Sequence, residues 1–445
     1  MPAVTSLPQQ VFRLAWPVML HMLLTTVVFL VGRAMVGRHS SVELASMQIS
    51  GPALWSVHSV FSSFSAGTLA VVGRCMGARD RAGAASAYRA SLALAVGVGL
   101  VITVPALVWL RPLVELVFPS AESAVKDASQ AYLSVVLLAL PLMFVETVSA
   151  AALQAAGDTR TPLRAAVLAN IINVGISAVL IFGLLGFPEL GIRGAGIGAA
   201  TALGVEGLLL LGALLRRGSP IPVTEGVGFP RVEMVRVLRV SGPAFVEKTI
   251  FHTGYMGYVA LIGMLGAQVM AANQALLSIE SISFLSADGF GIAAGALMAQ
   301  KLGARNPDEA GRAGLYAAGM SVALLSCAGI VFASIPATLV GAFTSDPAII
   351  EIGTRTIMVG AVAQPFMGFA AVMAAGLRGA GDTRTPLSVT CICVVVVRLS
   401  MCWFFGHRWG LGLMGIWIGS TIDWACRALL LGLAFRKGRW RELKV

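Results

Sequence analysis

Long apolar stretches recur along the whole chain, separated by short clusters of Gly, Pro and charge. "LALAVGVGLVITVPALVWL" (92–110) and "GLYAAGMSVALLSCAGIVFASI" (314–335) each approach the ~20 residues that cross a bilayer core as a helix. Runs this uniformly apolar are unlike the alternating strands of a membrane barrel. Their spacing predicts twelve helical spans, at about 11–36, 44–73, 85–110, 127–153, 162–185, 193–215, 236–264, 269–300, 310–340, 348–376, 386–406 and 411–435. An even number of spans puts both chain ends on one side. The expectation is an all-α polytopic membrane protein.

Composition agrees. The chain is 57% hydrophobic and 12% charged, about half the charged share of a soluble domain. The net charge of +11 would suggest nucleic acid in a soluble protein. Here the Lys and Arg concentrate in the loops after spans 2, 4, 6, 8 and 10 and in the C-terminal tail. That pattern predicts cytoplasmic termini in an inner (plasma) membrane and no nucleic-acid partner. Only Arg13 precedes the first apolar run, with no small-residue cleavage site, so the first span is expected to be retained. Six scattered cysteines form neither a CxxC pair nor a disulfide framework.

The chain also repeats itself. "AGDTRTPL" occurs at 156–163 and again at 380–387. Other landmarks follow in the same order. Pro141 and Pro365 differ by 224, Pro17 and Pro243 by 226, and Gly37 and Gly263 by 226. "MGARDRAGAA" (76–85) resembles "LGARNPDEAG" (302–311), and "GIRGAGIG" (191–198) matches "GLMGIWIG" (412–419) at an offset of 221. Two homologous six-helix bundles follow, 1–222 and 223–445. Even-numbered halves share one orientation, so the repeat is parallel, about an axis along the membrane normal. The Pro-rich stretch 215–236 reads as the linker.

Within the motif, Gly157 and Gly381 suit the left-handed position that ends a helix. Thr161 and Thr385 precede a proline and read as caps of the next helix. Asp158, Arg160, Asp382 and Arg384 are expected to keep the turn wet. The motif is therefore read as architecture.

Charges inside apolar spans are costly unless paired or hydrated, so they carry the functional signal. They are Glu146, Glu206, Glu247, Lys248, Glu280, Asp288, Arg398, Asp423 and Arg427. Asp423 and Arg427 stand i,i+4 and can pair on one face. Glu206 looks isolated. Glu247, Glu280 and Asp288 gather on spans 7 and 8, and Glu280 and Asp288 share a face about 12 Å apart. They are the candidate ion-coupling residues, with a static ion pair to Lys248 as the structural alternative. His21, His58 and His252 titrate in a useful range, although a lone helix histidine is more often a packing residue. The candidate substrate contacts are Asn173, Ser177, His21 and Asn273. No Walker A sequence, nucleophile elbow, HExxH or EF-hand loop is present. This argues for no enzyme activity and no cofactor, with a proton or sodium gradient as the energy source.

Taken together, "GAGDTRTPL" after spans 4 and 10, "AMVGRHSSVELA" after span 1, and "GIRGAGIGAA" and "GLMGIWIG" opening spans 6 and 12 resemble the multidrug and toxic compound extrusion (MATE) transporters. "SADGFGIAAGALMAQKLGA" in span 8 looks closest to the DNA-damage-inducible, F-like branch, which places an Asp-Gly-Phe at Asp288. The resemblance implies twelve transmembrane helices in a V-shaped, two-lobe transporter. It also implies antiport, in which an organic cation or other amphipathic compound leaves as protons or sodium ions enter. The expected partners are small organic compounds and membrane lipids, with the protein as a monomer. Two positions depart from the family pattern. Gly32 stands where span 1 usually carries an acid, and Ser177 where span 5 often has aspartate beside the equivalent of Asn173. Alternatives are a lipid-linked precursor flippase and a non-transporting sensor that keeps the fold.

Overall fold

The computed structural model describes residues 6–119, 121–223 and 230–443. Part of the expected linker, 224–229, lies outside them. The described residues form helices joined by short turns. In chain order these are α1 (Leu7–His39), α2 (Ser41–Phe61), α3 (Ser63–Gly77), α4 (Arg81–Val108), α5 (Leu110–Val117), α6 (Ser123–Leu138), α7 (Leu140–Ala155), α8 (Arg160–Phe182) and α9 (Ile192–Leu215). There follow α10 (Arg231–Gly263), α11 (Ala267–Gly303), α12 (Pro307–Ser334), α13 (Pro336–Gly341), α14 (Pro347–Gly379), α15 (Arg384–Thr390), α16 (Leu399–Trp403) and α17 (Gly412–Lys437). π-helical stretches Cys391–Arg398 and Phe404–Arg408 make α15 and α16 one continuous segment.

The twelve expected spans map onto these helices, and the breaks have local causes. Span 2 is divided at Ser62 into α2 and α3. Span 4 bends by 52° between α6 and α7, where Pro141 sits in the first turn of α7 and gives up an N–H that a helix start does not need. Pro17, Pro105, Pro243 and Pro365 lie inside their helices. By length and apolarity alone, nine single helices and the bent pair qualify as membrane spans among the described residues. The helices of spans 2 and 7, which carry more polar residues, fall short of that measure. Two short helices, α5 and α13, go beyond what the apolar pattern predicts. They begin 226 residues apart, at Leu110 and Pro336, and so belong to the repeat.

The repeated motif is indeed a helix-stop, helix-start turn. Gly157 and Gly381 have φ of +89° and +90°, which glycine adopts without a Cβ penalty. The cap, however, is the aspartate. Asp158 Oδ1 accepts from the backbone N–H of Arg160 (3.1 Å) and Thr161 (3.0 Å), and Thr161 Oγ1 donates to Oδ2 (2.6 Å). Asp382 holds Thr385 in the same way. Thr161 and Thr385 lie inside the first helical turn and buttress the cap. A short carboxylate reaches two free N–H groups there, which one hydroxyl cannot do.

Two compact units are distinguished. One comprises Leu20–Thr68 and Asp80–Leu238. Its core joins Met47, Tyr132, Leu133, Phe144, Ile181 and Ile192 from α2, α6, α7, α8 and α9. The other comprises Leu69–Arg79 and the chain from Arg239 on, with the start of the chain up to Met19. There α11 and α14 pack through small residues. Gly291 faces Ala375, and Gly295 faces the backbone of Ala375 and Gly379. In a bilayer, where apolar burial gives no advantage over lipid, such backbone approach supplies the packing energy.

Candidate functional site

Glu247 lies on α10, one turn past Pro243, and is 7% exposed. Arg378, near the end of α14, donates from Nη1 to both of its carboxylate oxygens at 2.9 and 3.2 Å. Thr390 Oγ1 adds a third bond at 3.3 Å. The adjacent Lys248 has Arg378, Asp288, Glu247 and Arg427 as its charged neighbours. Asp288 of α11 has Lys248 and Arg378 as its charged neighbours. Glu280, two turns earlier, has Arg398 and Gln364 beside it. Asp423 of α17, fully buried, bridges two cations. Arg398 Nη2 approaches it at 2.7 Å, and Arg427 Nε lies 3.1 Å from each of its oxygens.

Two ion-pair groups lie inside apolar helices, Glu247 with Arg378 and Asp423 with Arg398 and Arg427, and Lys248, Glu280 and Asp288 are their electrostatic neighbours. Four acidic side chains, Glu247, Glu280, Asp288 and Asp423, stand against four basic ones, Lys248, Arg378, Arg398 and Arg427. Aromatic faces line the guanidinium groups. Arg398 lies over Tyr258 (5.8 Å) and Trp424 (5.6 Å), and Arg427 over Phe251 (5.8 Å) and Trp424 (5.2 Å).

The structure sets Asp288, Glu247 and Glu280 among these charged groups. The partner of Glu247 is Arg378 rather than the Lys248 that sequence spacing suggests. Arg378 precedes the repeated motif and reads in the sequence as a loop charge. The substrate candidates fall in separate places. Asn273 Oδ1 is taken up by Trp417 Nε1 (3.0 Å) and by the Tyr258 hydroxyl (3.5 Å). Ser177 Oγ donates to Asn173 Oδ1 (3.1 Å), and both lie against Gly198 of α9. His21 is beside Glu206, its Nε2 3.5 Å from Oε1. Glu206 is therefore not isolated, since it also feels Glu146 of α7. Helix-by-helix reading misses this group because its members sit on α1, α7 and α9. The only signal in the sequence is three unexplained polar residues in one half.

The MatE family profile matches residues 17–179 and 243–404. This chain belongs to the MatE family. The two matched segments begin 226 residues apart, the offset found from the repeat. The chain is 29% identical to a probable multidrug resistance protein NorM of Thermotoga maritima, covering 99% of this chain and 95% of that protein. It is 30% identical to one of Pseudomonas aeruginosa, covering 100% and 91%. Among solved structures it resembles an outward-facing multidrug resistance MATE family transporter of the MOP superfamily (TM-score 0.90, 21% identity, 97% and 96% covered). It equally resembles a MOP superfamily transporter from Pyrococcus furiosus, described by a binding pocket of reverse polarity (TM-score 0.90, 20% identity, 97% and 96% covered). The MatE protein described here is thus a multi-pass membrane transporter.

Proposed function

We propose that this MatE protein is a secondary active exporter. It expels amphipathic, mainly cationic organic compounds in exchange for protons, by alternating access in the inner membrane with both termini cytoplasmic. The observation that carries the reading is the balanced network in which Glu247, Asp288 and Glu280 meet Lys248, Arg378 and Arg398 inside the spans. In such a network an entering organic cation and a proton compete for the same carboxylates, so binding of one favours release of the other. The relatives named multidrug resistance proteins support the cargo class. The absence of a nucleotide-binding motif supports gradient coupling.

Purified protein in liposomes, loaded with ethidium and given an imposed proton or sodium gradient, tests this. Proton-driven efflux is expected, and the triple variant Asp288→Asn, Glu247→Gln, Glu280→Gln is expected to lose it. Ethidium flux indifferent to both gradients would overturn the coupling, and full activity of the triple variant would overturn the site.

A further inference from the structure

The duplicated plan lets each charged position of one half be compared with its counterpart in the other. The offset is 226 over the first two spans of each half, 224 over the fourth and fifth, and 221 over the sixth. In the C-terminal half the four acids are matched by Lys248, Arg378, Arg398 and Arg427. At the equivalent positions the N-terminal half has Met22, Gln154, Val174 and Glu206. All four fixed cations are gone, and one has become an acid. His21 stands where Glu247 stands, and Glu146 where the buried Ala370 stands.

The structure brings these substitutions together. Glu146 on α7 and Glu206 on α9 are 9% and 8% exposed. Their helices approach closely because of Gly207. A Cβ there would lie 3.3 Å from the Leu142 carbonyl oxygen and 3.6 Å from the Glu146 nitrogen. Thr147 Oγ1 donates to Glu146 Oε2 at 3.1 Å. Glu206 Oε1 is buried and accepts no hydrogen bond, with His21 Nε2 of α1 at 3.5 Å. His58 of α2 is an electrostatic neighbour of His21. The Tyr88 hydroxyl of α4 is tied to Ser149 (2.7 Å), and Asn173 and Ser177 of α8 bond one another. Among the described residues no lysine or arginine lies within ion-pair distance of either carboxyl.

Buried acids without a fixed counter-charge need a mobile one. Around these two are one hydroxyl and one imidazole, and no group of three metal-ligating side chains occurs among the described residues. That donor set suits a proton. We propose that Glu146 and Glu206 form a proton-binding site in the N-terminal half, with His21 passing the proton on and off. Binding makes one O–H bond at a carboxylate oxygen, and release returns that proton to His21 Nε2. The inference rests on the exporter reading and names a place where its protons are exchanged.

Two measurements on the intact protein separate the site from that reading. Infrared difference spectra between acidic and neutral pH read the carbonyl stretch of protonated carboxyl groups without any cargo. A band is expected in the wild type that both Glu146→Gln and Glu206→Gln diminish and that Glu206→Asp retains at a shifted frequency. Spectra unchanged in both glutamine variants would overturn the site. Ethidium efflux under an imposed proton gradient is the second measurement, and the Glu146→Gln, Glu206→Gln double variant is expected to fall at least tenfold. Wild-type rates in that variant would overturn the site while leaving the exporter reading intact. If the wild type itself moves no ethidium, the exporter reading falls and the infrared band still decides the site. Should a glutamine variant fail to fold, Glu206→Asp and His21→Gln take its place. Each is expected to shift the pH at which the band appears, and no shift in either would count against the proposal.

Discussion

Gly77 and Gly303 occupy equivalent positions of the duplicated plan and pack reciprocally. A Cβ on Gly77 would strike the backbone of Gln300, and one on Gly303 would strike the backbone of Arg74. Arg74 and Gln300 are themselves 226 residues apart. The ends of α3 and α11 thus meet backbone to backbone, and Arg74 Nη2 adds a bond to the Ala380 carbonyl oxygen at 2.9 Å.

Alanine at Gly77 or Gly303 should therefore destabilise the protein, by about 1–3 kcal/mol for overpacking a contact with no room to yield. Gly97 and Gly212 have nothing within 4 Å of where an alanine methyl group would sit, so alanine there should be neutral or slightly stabilising through helix propensity. Thermal melting of the four detergent-solubilised variants checks the contrast.

Asp423→Asn leaves two buried guanidinium groups, Arg398 and Arg427, without their shared anion. Breaking a buried pair from one side costs about 3–5 kcal/mol. A melting temperature equal to the wild type would show that the triad contributes nothing to stability. An Asp423→Leu, Arg427→Met double variant should recover part of the loss.

Asp158→Ala and Asp382→Ala each remove a helix cap and should cost about 1 kcal/mol apiece. The two turns share no partner, so the double variant should show nearly the sum. Chemical denaturation or melting of the three variants measures this.

A fluorescent protein fused to the C-terminus should fold and fluoresce, whereas a periplasm-dependent phosphatase in the same place should be inactive. The reverse pair of results would contradict the orientation drawn from the basic loops.

Much of the fold is legible in the sequence because each span must be apolar for its whole length, and the repeat pins the boundaries. Breaks are harder to read. Nothing in "VHSVFSSFSAG" (57–67) marks the division at Ser62. The sites are legible only in part. Asp288, Glu247 and Glu280 are visible as single costly charges, and Asp423 with Arg427 as a local i,i+4 pair. Pairings between distant helices leave no mark on local spacing. Glu247 and Arg378 are 131 residues apart, and the group of His21, Glu146 and Glu206 draws on three helices.

The unmatched acids of the N-terminal half bear on the bioenergetics of a cycle. The pair binds one proton, and the carboxylates of the C-terminal half exchange another. A turnover that carries both inward and one monovalent cation outward moves one net charge across the membrane. Voltage as well as acidity then drives it, by about 2.3 kcal/mol per charge for each 100 mV. Replacing both Glu146 and Glu206 by glutamine would leave a one-for-one exchange, which is electrically silent. A potassium-diffusion potential would accelerate the former protein and leave the latter unmoved.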